Sequence, residues 1–168
     1  MRKKPGFKAD FEVTALCRIP LAELRRRGVR GLIFDLDNTI TAWHSMEISP
    51  EVREWFATLP EQGFSACILS NSHQERVLPM GRTLSLPALH MARKPLVTGY
   101  LRACREVGLK PEEVAISGDQ LLTDIWGGNR AGLTTVLLTE LIDNREFLGT
   151  RLFSRRVEKL LRRPKRPR

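Results

Sequence analysis

Apolar residues along this chain fall into short continuous runs, separated by stretches in which they recur at helical spacing. The segment 29–37, VRGLIFDLD, is an apolar run that ends in acids instead of alternating, which predicts a buried strand. Just before it, LAELRRRG at 21–28 reads as a short helix closed by Gly28. Ser49-Pro50-Glu51 opens a helix to about Leu59, with Ser49 as N-cap and Pro50 in the first turn. Phe64 to Leu69 is a second apolar strand, followed by polar SNSHQER and a further helix. Leu89-His90-Met91-Ala92 reads as a short third strand before Arg93-Lys94-Pro95. Leu96 to Val107 is helical and stopped by Gly108, and Val114–Ser117 is the next strand. A loop and helix over 119–131 lead to a last strand, Thr134–Leu138.

Strands alternating with helices of about a dozen residues predict right-handed βαβ units, an α/β fold with a parallel sheet. In such sheets ligands bind outside the carboxyl ends of the strands. The polar clusters with chemical potential fall there, after Phe34, Leu69, Ala92 and Ser117. The length, 168 residues, fits one domain over 1–168 with room for a real core. No apolar stretch approaches the ~20 residues of a membrane span, and the N-terminus lacks the apolar core of a secretory signal. Three cysteines, Cys17, Cys67 and Cys104, match neither a disulfide framework nor a zinc pattern, which points to a reducing compartment and a cytoplasmic protein. The net charge of +9 is unevenly spread. Residues 1–30 carry +6 and 151–168 carry +8, while 31–150 carry −5. Basic ends on an acidic body suit an anionic partner, lipid or nucleic acid, or serve solubility alone.

Asp35 and Asp37 lie on one side of an extended backbone, with Leu36 facing the other way. Two such carboxylates repel unless a cation lies between them or one takes a proton. One can then attack phosphorus while the other protonates the leaving oxygen and later activates water. An isolated Asp-x-Asp more simply forms an Asx turn at a strand end. Here it is accompanied. Ser70-Asn71-Ser72 offers hydroxyl, amide and N–H groups to phosphate oxygens, though Ser and Asn also cap helices. Lys94, before Pro95, can neutralise both a carboxylate and a phosphate, though alone it reads as a solvated lysine. Asp119 and Asp124 are hard oxygen ligands suited to Mg²⁺, with Asp124 alternatively a first-turn helix acid. The three histidines, His44, His73 and His90, have no metal-ligand spacing, while Trp43-His44 follows the first cluster closely enough to line a site mouth.

Taken in order, DLDNT, the Ser-containing turn, Lys-Pro and GDQLLTD resemble the four motifs of the haloacid-dehalogenase (HAD) phosphatases. IFDLDNTI, ILSNS, ARKP and GDQLLTDIWGGNRAG are similar to the subfamily IIIA branch of YqeG type, from about Leu16 to the tail. Ser72 departs from that branch, which has a second Asn there. The resemblance implies a Rossmannoid three-layer sandwich and a Mg²⁺-dependent phosphatase working through an aspartyl-phosphate. Asp35 would be nucleophile and metal ligand, and Asp37 general acid/base with its backbone carbonyl on the metal. Thr39 would support the turn; Ser70, Asn71 and Lys94 would hold the phosphoryl group; Asp119 and Asp124 would complete the metal site.

The 30 residues between Thr39 and Ser70, and the 23 between Ser70 and Lys94, leave no room for a cap domain, so an open, capless site is expected. A large substrate or a surface would complete it. From about 145 the chain predicts a basic amphipathic helix and tail. Phe153, Val157, Leu160 and Leu161 share an arc opposite Arg155, Arg156, Lys159, Arg162 and Arg163, fit either for the sheet or for anionic lipid. The resembled branch includes phosphatidylglycerophosphatases, so the leading substrate is that phospholipid, met by peripheral contact with the inner face of the membrane. RNA or ribosome association is the weaker alternative, because with one Tyr no aromatics interleave the basic runs. A phosphatase of soluble esters is disfavoured by the missing cap.

Overall fold

The computed structural model describes residues 6–140 and 142. The predicted basic helix and tail from 145 lie outside the described residues. Six strands form one sheet: β1 (Phe11–Val13), β2 (Gly31–Phe34), β3 (Ser65–Leu69), β4 (Ala88–Leu89), β5 (Val114–Gly118) and β6 (Thr134–Leu138). Their order is β1-β6-β5-β2-β3-β4, and every pairing is parallel. The helices are α1 (Leu21–Arg26), α2 (Pro50–Thr58), α3 (Gln74–Leu84), α4 (Val97–Glu106) and α5 (Gly127–Ala131).

Strand alternation sends neighbouring residues into two separate cores. Leu32 and Phe34 of β2, with Ala66 and Ile68 of β3, pack with Leu24, Phe56, Leu59, Val77 and Met80 from α1, α2, α3 and the turn after α2. Ile33, Cys67 and Leu69 point the other way, onto Tyr100, Ala103 and Cys104 of α4 and Ala131 of α5. The sheet is therefore sandwiched between two helical layers, as a fully buried parallel sheet requires. Phe34 meets Phe56 edge-to-face with ring centroids 4.8 Å apart, which joins the central strand to α2. The predicted N-cap forms: Ser49 Oγ accepts a hydrogen bond from the Val52 N–H at 3.3 Å.

The chain runs from β2 outward to β3 and β4, then returns through α4 to β5 on the other side of β2. The sheet's switch point thus lies between β2 and β5, where parallel α/β sheets open a crevice at the carboxyl edge. Three elements differ from the sequence pattern. The strand predicted over 89–92 is Ala88–Leu89, because Met91 (φ 46°) and Arg93 (φ 56°) take left-handed conformations that end the extended run. The strand predicted from 29 to 37 ends at Phe34, and Asp35 starts a tight turn. The loop and helix expected over 119–131 form, but the helix begins as a π-helical stretch, Leu121–Trp126, before running into α5. Strand β1, three residues long, has too short a pattern to be read from sequence.

Removing the ring that locks the central strand to α2 leaves a large void. Phe56→Ala should cost about 3–5 kcal/mol in urea unfolding with an unchanged denaturant slope.

Candidate active site

The four predicted clusters converge on one small, open pocket at the carboxyl edge, lined by Asp35, Asp37, Ser70, Asn71, Lys94 and several neighbours, Trp43 among them. Each comes from a separate strand end, so the sheet itself sets their spacing. After β2 the backbone closes tightly: the Ile40 N–H donates to the Leu36 carbonyl at 3.0 Å, and the Asn38 N–H to the Thr41 carbonyl at 2.8 Å. Asn38 sits at φ 58°, a left-handed conformation that Asn tolerates better than most residues. Leu36 is buried in the α1–α3 core, so the two aspartates flanking it are turned toward the pocket. Thr39 lies beneath this turn, and its Oγ1 is buried without a hydrogen-bond partner.

The two aspartates do not share a cation; each has its own. Lys94 Nζ donates to Asp35 Oδ1 at 2.7 Å and to Asp124 Oδ1 at 2.7 Å, with all three side chains nearly inaccessible to solvent. Asp37 accepts from Ser72 Oγ at 2.9 Å on one oxygen and from Arg76 Nε at 2.8 Å on the other. Arg76 also donates to the carbonyl of Ser45 at 2.7 Å, which ties α3 to the loop after the first turn. Asn71 spends both ends of its amide on the Lys94 backbone. Its Oδ1 accepts from the Lys94 N–H at 2.7 Å, and its Nδ2 donates to the Lys94 carbonyl at 3.1 Å.

Asp124 is held from a second side, as its Oδ2 accepts from the Gln120 N–H at 3.1 Å. This contact belongs to the π-helical stretch, where the Ile125 N–H also reaches the Gln120 carbonyl. Such widened turns recur at functional sites because they re-aim side chains. The Tyr100 hydroxyl donates to the Thr123 carbonyl and supports the stretch from below. Gly118 makes room for it: a Cβ there would lie 2.2 Å from Asp124 Oδ2.

Oxygens of Asp35, Asp119 and Asp124 all lie within 4.8 Å of one another. Asp119 Oδ1 is buried with no hydrogen-bond partner. Burial raises the Asp35 carboxyl to about 6; the Lys94 ammonium opposes this and the Asp124 charge adds to it. Burial, with the charges of Asp124 and Asp35, pushes Asp119 up to about 8. Desolvation alone would lower Lys94, but Asp124 and Asp35 outweigh it and its ammonium is held well above the ordinary range. One ammonium therefore faces two buried carboxylates, with a third, half-buried one beside them. This donor set of hard oxygens, one of them orphaned, fits a divalent cation such as Mg²⁺. The Asp37 carboxylate stands outside that group.

Sequence reading missed Arg76, whose partner lies far away in the chain, and the contact of Ser72 with Asp37. Gln120 and Thr123, which line the pocket, and the Gly118 cradle were also missed. The only available signal for Arg76 was its position in the first turn of the helix that follows the Ser turn.

A parallel α/β sheet with this constellation at its switch point defines a phosphatase of HAD type. The chain belongs to the family described as mitochondrial PGP phosphatase, matched over residues 2–143. It is 38% identical over 156 residues to "Probable phosphatase YqeG" of Bacillus subtilis, covering 93% of this chain and 90% of that protein. It is 31% identical over 144 residues to "Phosphatidylglycerophosphate phosphatase 1, chloroplastic" of Chlamydomonas reinhardtii, covering 80% of this chain and 53% of that longer protein. Among solved structures, the 3-deoxy-D-manno-octulosonate 8-phosphate phosphatase of Moraxella catarrhalis, a complex with magnesium and phosphate ions and KDO, shares the fold. Its TM-score is 0.52 at 14% identity, over 68% of this chain and 71% of that one.

Gly118→Ala should displace Asp124 from Lys94 and lower the hydrolysis of p-nitrophenyl phosphate roughly 100-fold, the scale of an ångström-sized misplacement. An unchanged rate, with a wild-type circular dichroism spectrum, would show that the position of Asp124 is immaterial.

Proposed function

We propose that this phosphatase hydrolyses a phosphomonoester through an aspartyl-phosphate on Asp35, with Mg²⁺, and that its substrate is phosphatidylglycerophosphate at a membrane surface. The observation that carries the chemistry is the buried Lys94 ammonium, 2.7 Å from both Asp35 and Asp124, with Asp119 beside them. A structural ion pair needs no second and third carboxylate clustered about its ammonium, whereas metal-assisted phosphoryl transfer uses such a cluster.

An oxygen of Asp35 attacks phosphorus, forming the acyl-phosphate bond as the bond to the leaving alcohol breaks. Asp37 gives its proton to the leaving oxygen, and the resulting carboxylate is received by Arg76 and Ser72. Water then attacks the same phosphorus, Asp37 takes its proton, and inorganic phosphate leaves with Asp35 restored. Lys94 balances charge on Asp35 and on the transferring phosphoryl group, while the Ser70 hydroxyl donates to a phosphoryl oxygen. Thr39 supports the turn that presents Asp35 and Asp37. Asn71 fixes the lysine through its backbone and so acts on the phosphoryl group indirectly. Held by Asp35, Asp119 and Asp124, with the Asp37 carbonyl as the resemblance implies, Mg²⁺ would offset the charge gathered on these oxygens.

The lipid reading rests on family membership, on the named relative in Chlamydomonas and on an open pocket. The segments between Thr39 and Lys94 hold only α2, β3, α3 and β4. No described helix is long and apolar enough to cross a membrane, so the enzyme would approach lipid from one side, with its basic ends on anionic headgroups.

Phosphate release should be measured with Mg²⁺ on vesicles carrying phosphatidylglycerophosphate, alongside nucleotide and sugar esters. The lipid should be preferred; none released from it, beside brisk turnover of soluble esters, would reject the lipid reading. Asp35→Asn should cost about a thousandfold or more on every substrate while leaving the fold intact. Saturating Mg²⁺ should raise Tm by roughly 5–10 °C by binding the native state alone. Asp119→Asn should remove most of that rise; an unaltered rise would place the ion elsewhere.

A further inference from the structure

Large apolar side chains standing in water are scarce among the described residues: Met46, Met91, Leu96 and Ile142, each about half exposed. Scattered singly, such residues need no explanation. Three of these four are joined, by a contact or by chain adjacency, to residues that line the pocket or hold its side chains. Met46 lies in the loop after the first turn, its Sδ 3.4 Å from the Arg76 guanidinium that grips Asp37. Met91 follows β4, and its N–H donates to the Ser72 carbonyl at 3.0 Å. Leu96 stands just beyond Lys94 and Pro95. Trp43 lines the pocket itself.

We propose that this carboxyl edge is the membrane-docking surface of the enzyme: Trp43, Met46, Met91 and Leu96 seat in the interfacial layer of an anionic lipid bilayer while the phosphate enters the pocket. The inference rests on the lipid reading above and specifies how that substrate is met. The pocket is small and open to solvent, so it takes a phosphoryl group and a short stub while the remainder of a large ester stays outside, against the rim. A rim of methionine, leucine and tryptophan suits an amphiphile's glycerol and acyl region, where unbranched side chains and aromatic rings settle at the headgroup boundary. Arg93, exposed between Met91 and Leu96, makes no side-chain hydrogen bond or ion pair among the described residues and is available to a neighbouring lipid phosphate. Glu47 and Glu75 are also exposed near this edge, so the edge itself attaches through the apolar side chains and Arg93, while the net charge that favours anionic lipid lies in the basic ends of the sequence.

The test uses the full chain and the double variant Met91→Ser with Leu96→Ser, which alters no group of the catalytic machinery. Sedimentation with phosphatidylglycerol/phosphatidylcholine vesicles is run at about 0.5 M salt, which screens the basic ends and leaves apolar contacts intact. Turnover is compared between vesicle-embedded phosphatidylglycerophosphate and a monomeric short-chain form of it. The double variant should lose roughly tenfold or more in vesicle binding and in vesicle turnover, the scale of removing two apolar side chains from the interface. It should keep wild-type turnover of the monomeric substrate. Equal vesicle binding and turnover by variant and wild type would overturn the docking surface while leaving the lipid substrate standing. Equal losses on monomeric and vesicle substrates would also overturn it, by placing these residues in the pocket's own function. Wild-type failure on the lipid in both forms would overturn the lipid reading and this inference with it.

Discussion

The arrangement turns on a single ammonium group. Lys94 is buried between Asp35 and Asp124, and burying any one of these charges alone would be prohibitive. Each carboxylate's attraction to the ammonium, strengthened in a poorly polarisable interior, outweighs the repulsion between the two and holds all three groups together. What surrounds them serves that placement. Asn71 pins the lysine's backbone, Gln120 pins Asp124, and Gly118 withholds a side chain so that the carboxylate can fit. The balance remains negative, with Asp35 and Asp119 both pushed toward their neutral forms, an imbalance that a divalent cation would relieve.

Much of this was legible in the sequence because a parallel sheet converts linear order into spatial convergence. Runs such as GLIF and SACIL cannot hide which of their ends carries polar residues, and all carboxyl ends lie on one edge. Asp35, Ser70, Lys94 and Asp119 were therefore found by position as much as by type. The resemblance to HAD phosphatases then supplied roles that spacing alone could not assign. It also anticipated the family to which the chain belongs.

What escaped were contacts that depend on the depth and direction of side chains. Arg76 looked like one more polar residue on a helix, since no periodicity reveals a partner 39 positions away. The widened turn at Leu121–Trp126 was read as ordinary helix because one additional residue per turn leaves no compositional mark. Strand β4 was drawn too long because Leu89-His90-Met91-Ala92 is apolar enough to be extended, while its end is set by backbone conformation at Met91 and Arg93. The rim also escaped, since an exposed methionine and a buried one are spelled alike.

The clasp of Asn71 on the Lys94 backbone bears on how such a protein can vary. Because the lysine's place is referred directly to the end of β3, the chain looping away through α3 and β4 is not what measures out its position. Beyond the first turn of α3, that excursion can lengthen, shorten or acquire an inserted module without moving the lysine, provided its two ends return to the same clasp and Arg76 keeps its hold on Asp37. The lysine's place is thereby uncoupled from the outer part of the excursion, which is free to differ while the buried charges stay where they are.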